Sequence, residues 1–283
     1  MSQTVKQAYR QCRRIARQHY ENFPVASFIL PSNIRAAVAV VYIFARRADD
    51  IADEGNASDE QRLSQLTKME TELQQTVNGQ IAEDYLYIAL DDVIKKFKIP
   101  TQLLLDLISA FKQDVSKKRY QNFGELMHYC RRSANPVGRI MLHLFDQADE
   151  KNLALSDGIC SALQLINFYQ DLSQDYNELQ RIYIPEDDMQ KYNITEQHFA
   201  DAVSDQPMQQ LMQAQYERAE KLMQAGSWLG IRLHGRAGFE IRLIIAAGFK
   251  VLQKLKQQQD VFSRPRLKIH DYIWVLWRAL RKK

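Results

Sequence analysis

Residues 38–53 read VAVVYIFARRADDIAD, and the reading of this run decides the fold class. Val38, Val40, Val41, Tyr42, Ile43, Phe44, Ala45, Ala48 and Ile51 cover most directions around a helical axis, as a helix buried on nearly all sides requires. Arg46, Asp49, Asp50 and Asp53 interrupt that apolar surface. At 3.6 residues per turn Asp49 and Asp53 stand one above the other, with Arg46 one turn before them. Like charges four residues apart cost a helix about a few tenths of a kcal/mol, so stability does not ask for this pattern. Two readings stand: a solvated face with a salt-bridge partner, or a cation site, since Mg²⁺ takes one or two carboxylates and fills its other positions with water and phosphate oxygens.

A second stripe weighs toward the cation. From Leu163 to Tyr176, the apolar Leu163, Leu165, Ile166, Phe168, Tyr169 and Leu172 leave Gln164, Asn167, Asp171 and Asp175 at spacings of three, four and four. The spacing predicts one continuous helix carrying all four on one face. Two amides and two carboxylates inside an apolar helix need partners if they are buried, and a central polar cavity would supply them. Carboxylate pairs on two helices of a bundle can jointly hold metal ions. The charge balance would then come from an anionic ligand, with Arg46, Arg181 and Tyr183 placed to grip diphosphate oxygens. For Arg181 the competing reading is a surface charge at a helix end.

Working outward, three- and four-residue apolar spacing recurs almost throughout, as in Leu103, Leu104, Leu107, Ile108 and Phe111, and Gly and Pro number only 10 and 7. The chain reads as all-α. Breaks are expected at 24–31, 55–59, 78–79, 99–100, 135–136, 181–185 and 263–265, with Thr101 a helix start. None is a long linker, so one domain over residues 1–283 is expected, with 268–283 as a basic aromatic C-terminal helix.

The 38 basic and 34 acidic residues nearly balance, at a net charge of +4, and leave no nucleic-acid footprint. Cys12, Cys130 and Cys160 form no C-x-x-C pair, which argues against a disulfide framework or zinc site and fits a reducing cytoplasm. Residues 1–17 have no apolar signal core, and the longest apolar stretch, 36–45, is about half of a membrane span.

Three blocks resemble the squalene and phytoene synthase family over about Tyr9 to Leu255: YIFARRADDIAD (42–53), YCRRSANPVG (129–138) and QLINFYQDLSQDYNELQRIYIP (164–185). The resemblance implies a class I isoprenoid (terpenoid) synthase bundle with a central cavity. It implies Mg²⁺ held by Asp49, Asp53, Asp171 and Asp175, with the amides of Asn167 and Gln164 beside them. It implies substrate or diphosphate contacts at Arg46, Tyr129, Arg181 and Tyr183.

Relatives that make phytoene or dehydrosqualene commonly carry Ser-x-Ser-Phe near the start and Asn-x-x-Arg-Asp in the second motif. Here Tyr20-Glu21-Asn22-Phe23 and Asn167-Phe168-Tyr169-Gln170-Asp171 stand instead. With NFPVAS (22–27) and Asn135-Pro136, these resemble the branch that converts presqualene diphosphate to hydroxysqualene in squalene and hopanoid biosynthesis. Head-to-head condensation of two prenyl diphosphates, and a non-catalytic assembly factor, are the rival expectations; the intact carboxylate pairs argue against the second. Gln180 also departs from the Gly common before the Arg-x-Tyr element.

In the resembled chemistry a metal-assisted C–O cleavage precedes capture by one water, and no nicotinamide is needed. Phe23, Val25, Ala134, Val137 and Gly138 are candidates to line the apolar part of the site, with ordinary packing as the competing reading. The resemblance leaves room for partner enzymes of the squalene pathway. The segment 268–283 suits a helix packed on the domain, with peripheral contact to the inner membrane face as the alternative.

Overall fold

The computed structural model of the chain describes residues 3–18 and 30–281, and every regular element among them is an α-helix. Phe23, Val25 and the Tyr20–Phe23 departure lie outside the described residues. Contacts gather the helices into two compact units that alternate along the chain.

The first unit uses the chain up to Ser116 and again over Pro136–Ala148. It holds α1 (Gln3–Gln18), α2 (Arg35–Asp53), α3 (Asp59–Val77), α4 (Tyr85–Phe97), α5 (Thr101–Ser116) and, from Pro136 onward, α7 (Asn135–Leu144). The all-round apolar surface read in 38–53 is spent here: Val40, Phe44 and Ala48 of α2 have no exposure at all. Each large side chain so buried stabilises the fold by about 1.5–3 kcal/mol. Leu66 and Leu73 of α3, Leu86 and Leu90 of α4, Leu104 of α5 and Ile140 of α7 share that core.

Local polar chemistry sets the helix ends. Ser58 and Gln61 form a reciprocal capping box at the start of α3. Asp84 caps α4 by accepting from the Leu86 amide at 2.8 Å, and the same carboxylate binds Arg47 at 2.6 Å. Thr101 does open α5, as the sequence predicts. The loop leaving α2 is tied down by Arg62, whose guanidinium donates to the carbonyls of Ile51, Gly55 and Ala57 at 2.8–3.1 Å. That ties the loop after Asp53 back to the Ile51 carbonyl in the last turn of α2.

The second unit uses Lys117–Asn135 and Asp149–Lys283. Its helices are α6 (Phe123–Ser133), α8 (Glu150–Gln170), α9 (Leu172–Leu179), α10 (Glu186–Lys191), α11 (Glu196–Ala200), α12 (Gln206–Gly226), α13 (Leu229–Arg232), α14 (Gly235–Gln257) and α15 (Ile269–Leu280). Close approach of α8 and α12 depends on Gly226, where an added Cβ would lie 2.6 Å from the Leu155 carbonyl oxygen and 2.7 Å from Ile159. A buried polar chain links three helices of the unit. Tyr169 of α8 donates to Gln215 of α12, Gln215 donates to Asp188 of α10 at 3.0 Å, and Arg218 grips Asp188 with both terminal nitrogens. The pairing offsets the cost of burying the carboxylate.

The predicted continuous helix over 163–176 is corrected: it divides at Asp171, whose φ of −108° and ψ of 17° end α8 and precede α9. The hydrogen-bond ladder nevertheless runs through the kink, from the Asp171 amide to Asn167 at 3.0 Å and from the Asp175 amide to Asp171 at 2.7 Å. The four-residue spacing of the motif is therefore kept. No helix among the described residues is long and apolar enough to cross a membrane.

Candidate active site

In the first unit the last turns of α2 present Arg46, Asp49, Asp50 and Asp53, all partly exposed. Arg46 sits in a fan of carboxylates from its own helix: Asp49 at 3.1 Å, Asp50 at 2.6 Å, and Glu54 just past the helix end. The sequence reading noted Asp50 as a break in the apolar surface but gave it no role, and it did not consider Glu54. The neighbouring Arg47 turns away to Asp84 and to the Tyr85 ring, so one of the two adjacent arginines is structural.

The proton affinity of Asp49 is raised, to a pKa of about 6. Burial is the largest cause; the charge of Asp53 adds to it and Arg46 opposes it. A carboxylate held against a like charge in this way is one that a cation would stabilise.

In the second unit the α8–α9 stripe is wetter than the sequence suggests. Asn167 is exposed, and Gln164, Asp171 and Asp175 are partly exposed, so none of the four is deeply buried. Asp171 meets a partner the sequence reading missed: Arg264 Nε lies 2.6 Å from one carboxylate oxygen and Nη2 donates to the other at 3.2 Å. Nothing local marks Arg264, which lies 93 residues away. Burial raises the Asp171 pKa, Arg264 opposes this, and Glu178 adds to it.

After α9 the chain turns sharply at Gln180, with φ 54° and ψ 32°. This left-handed conformation is the one glycine adopts without cost, which gives the relatives' glycine a physical reason. Here the turn is held by hydrogen bonds from Gln180 Nε2 to the Tyr176 carbonyl at 2.8 Å and from Arg119 to the Gln180 carbonyl at 2.5 Å.

The following residues pair with 118–121, the Ile182 amide donating to Lys118 at 3.0 Å and the Glu186 amide to Tyr120 at 2.8 Å. That pairing carries Tyr183 into an aromatic cluster. Its ring lies flat on Phe168, centroids 3.6 Å apart, and within 6.0 Å of both Tyr120 and Tyr129. Tyr129 is 3% exposed and Tyr183 6%. Arg181, read alternatively as a surface charge, is only 4% exposed and is not on the surface. Tyr120 was missed by sequence because it lies in the loop before α6, outside the recognised blocks.

Of the lining candidates, Ala134 is buried at the C-terminal end of α6, Gly138 is partly exposed, and Val137 is 44% exposed. Among the described residues no three His, Cys, Asp or Glu side chains cluster as a metal cage. The donors instead come in carboxylate pairs with adjacent amides, an all-oxygen set that suits Mg²⁺ completed by water and phosphate.

The site features and the all-helical fold fit a class of enzymes acting on prenyl diphosphates, a class that generally uses a divalent metal. The Squalene/phytoene synthase family model matches residues 16–272, and the chain belongs to that family, an enzyme of isoprenoid and squalene biosynthesis. It is 34% identical over 248 residues to the hydroxysqualene synthase of Sinorhizobium fredii, covering 87% of this chain and 83% of that one. With the hydroxysqualene synthase of Zymomonas mobilis it shares 35% identity over 228 residues, 79% of this chain and 75% of the other. The solved structure described as squalene synthase HpnC from Alicyclobacillus acidocaldarius superposes with a TM-score of 0.85 at 31% identity, covering 92% and 97% of the two chains.

Proposed function

We propose that this enzyme ionises presqualene diphosphate with the aid of Mg²⁺ and captures the rearranged cation with water, giving hydroxysqualene. The observation that carries the choice of substrate is the 34% and 35% identity to two hydroxysqualene synthases over most of each chain. The reaction balances without a reductant: the C–O bond breaks, diphosphate leaves with the electron pair, water bonds to carbon, and a proton is released.

Asp49 and Asp53 on α2 are assigned to Mg²⁺, as are Asp171 and Asp175 with Asn167 and Gln164 on α8 and α9. Bound there, Mg²⁺ supplies Lewis-acid stabilisation of the leaving diphosphate. Arg181 and Arg46 add positive charge for the phosphate oxygens. Tyr129 and Tyr183, backed by Phe168, offer π faces to a carbocation and keep bulk water from it. Phe23, Ala134 and Gly138 are assigned to the hydrocarbon chain. Such an enzyme works in the cytoplasm, in keeping with three cysteines that form no disulfide.

A second reading, condensation of two farnesyl diphosphates, draws support from the 31% identity to a protein described as a squalene synthase. Purified protein with Mg²⁺ is incubated with presqualene diphosphate or with farnesyl diphosphate, and products are identified by mass spectrometry. Hydroxysqualene from the first substrate alone is expected. Efficient turnover of farnesyl diphosphate would replace the proposal with the second reading.

A further inference from the structure

Helix α15 is amphipathic in an unusual sense, because its apolar stripe points away from the protein. Ile269, Tyr272, Ile273, Leu276, Trp277 and Leu280 recur at three- and one-residue steps, which places them along one side of a helix. They are 82%, 60%, 65%, 49%, 47% and 64% exposed. The opposite side, Asp271, Val275 and Ala279, is the buried one. Sequence reading favoured packing of the apolar stripe on the domain; the structure packs the other face.

The inward face is held by polar contacts as well as by the buried Val275 and Ala279. Asp271 is 1% exposed, lies 2.8 Å from Lys254 and 3.6 Å from Lys250 of α14, and accepts from the Lys268 amide at 2.7 Å. At the other end Arg242 of α14 donates to the Ala279 carbonyl and to the Gly230 carbonyl, both at 2.7 Å. That guanidinium brings the α13 turn up to the end of α15, and the α13 turn carries two further exposed apolar residues, Trp228 at 63% and Ile231 at 40%. Anchoring of this kind fixes the helix while leaving its greasy side free.

Charge decides what covers it. From Arg264 to Lys283 the sequence has seven basic residues (264, 266, 268, 278, 281, 282, 283) against one acid, Asp271, which is buried among lysines. Arg281 stacks over the Trp277 ring at 3.7 Å, at the edge of the stripe. Apolar side chains flanked by Trp, Tyr and Arg, with no exposed acid among them, match the boundary between acyl chains and anionic headgroups. At about 18 Å, the length of 12 helical residues, α15 is too short to span a bilayer and would lie in its plane.

We propose that the outer face of α15, extended by Trp228 and Ile231, is a docking surface for an anionic lipid bilayer. The inference does not depend on the catalytic reading. It is tested by sedimenting the full chain with phosphatidylcholine vesicles that contain or lack phosphatidylglycerol. Binding that requires phosphatidylglycerol and weakens with added salt is expected, with a blue shift of tryptophan emission. Ile273→Asp with Leu276→Asp should weaken binding by about tenfold for each side chain, while circular dichroism stays unchanged. Arg278→Glu with Arg281→Glu provides a second variant that leaves the stripe intact, and should abolish the preference for phosphatidylglycerol. Failure of the wild-type chain to bind phosphatidylglycerol vesicles, or full binding by both variants, overturns the proposal. So does light scattering that finds a wild-type dimer made monomeric by the Asp substitutions, without vesicle binding, since the face would then belong to a second copy.

Discussion

Tyr183 lies parallel to Phe168, with ring centroids 3.6 Å and planes 5° apart, although the two side chains come from a loop and from α8. The contact is made by backbone pairing of the loop with 118–121, so the position of the tyrosine is inherited from main-chain hydrogen bonds rather than from its own surroundings. Truncating a ring this deeply buried should cost about 3–5 kcal/mol, so Tyr183→Ala is expected to lower the thermal midpoint severely. Tyr183→Phe keeps the stack and should lose less than about 1.5 kcal/mol. If the hydroxyl serves the substrate, that variant loses kcat with its melting temperature nearly unchanged; full activity would confine Tyr183 to a packing role.

Asp49→Asn removes one of two like charges on adjacent turns of α2. Stability should hold or rise slightly, and turnover should fall by at least about a hundredfold, the loss of a group acting on the leaving charge. Mg²⁺ with inorganic pyrophosphate should raise the melting temperature of the wild-type chain, and much less that of Asp49→Asn or Asp171→Asn. An undiminished shift in both variants would remove their role as ligands.

The α15 anchor carries its own pH signature. Asp271 has its pKa lowered to about 2, chiefly by Lys254, then by the Lys268 amide. An unfolded aspartate titrates near 3.9, so the folded state binds fewer protons between these values. The stabilisation is complete above about pH 4 and is lost as pH falls toward 2. Hydrogen exchange of α15 should accelerate over that window, and Asp271→Asn should show fast exchange already at neutral pH. Exchange in that variant matching the wild type would mean the helix is held by other contacts.

Two glycine-related positions make opposite predictions. Gln180→Gly relieves a left-handed backbone that costs a residue with a Cβ about 1–2 kcal/mol and gives up one exposed hydrogen bond to the Tyr176 carbonyl, so the melting temperature should rise slightly. Gly226→Ala forces a methyl group against the Leu155 carbonyl and Ile159, and overpacking of this kind costs about 1–3 kcal/mol. Chemical denaturation of both variants reads the two signs directly.

Much of this was legible beforehand. The apolar runs located α2 and α5 to within a few residues, because burial on many sides writes itself into local periodicity. The carboxylate pairs stood out because they break that periodicity. What stayed hidden depended on distant partners: the ion pair of Arg264 with Asp171, the burial of Arg181, and Tyr120 beside Tyr183 all arise from segments with no shared local pattern. The kink at Asp171 escaped because the ladder survives it, so neither apolar spacing nor a breaker residue announces it. For α15 the periodicity was plain, but periodicity cannot say which side of a helix faces inward, and Asp271 with two lysines reversed the usual answer.

The alternation of the two compact units has a practical result for anyone dissecting the chain. A fragment stopping at Ser116 lacks Ile140 and Leu144, which belong to the apolar interior of the first unit, and a fragment starting at Asp149 lacks Tyr120 and Tyr129. No single scission therefore releases either half whole, and proteolytic nicking between residues 117 and 148 should leave pieces that stay associated or lose their structure together.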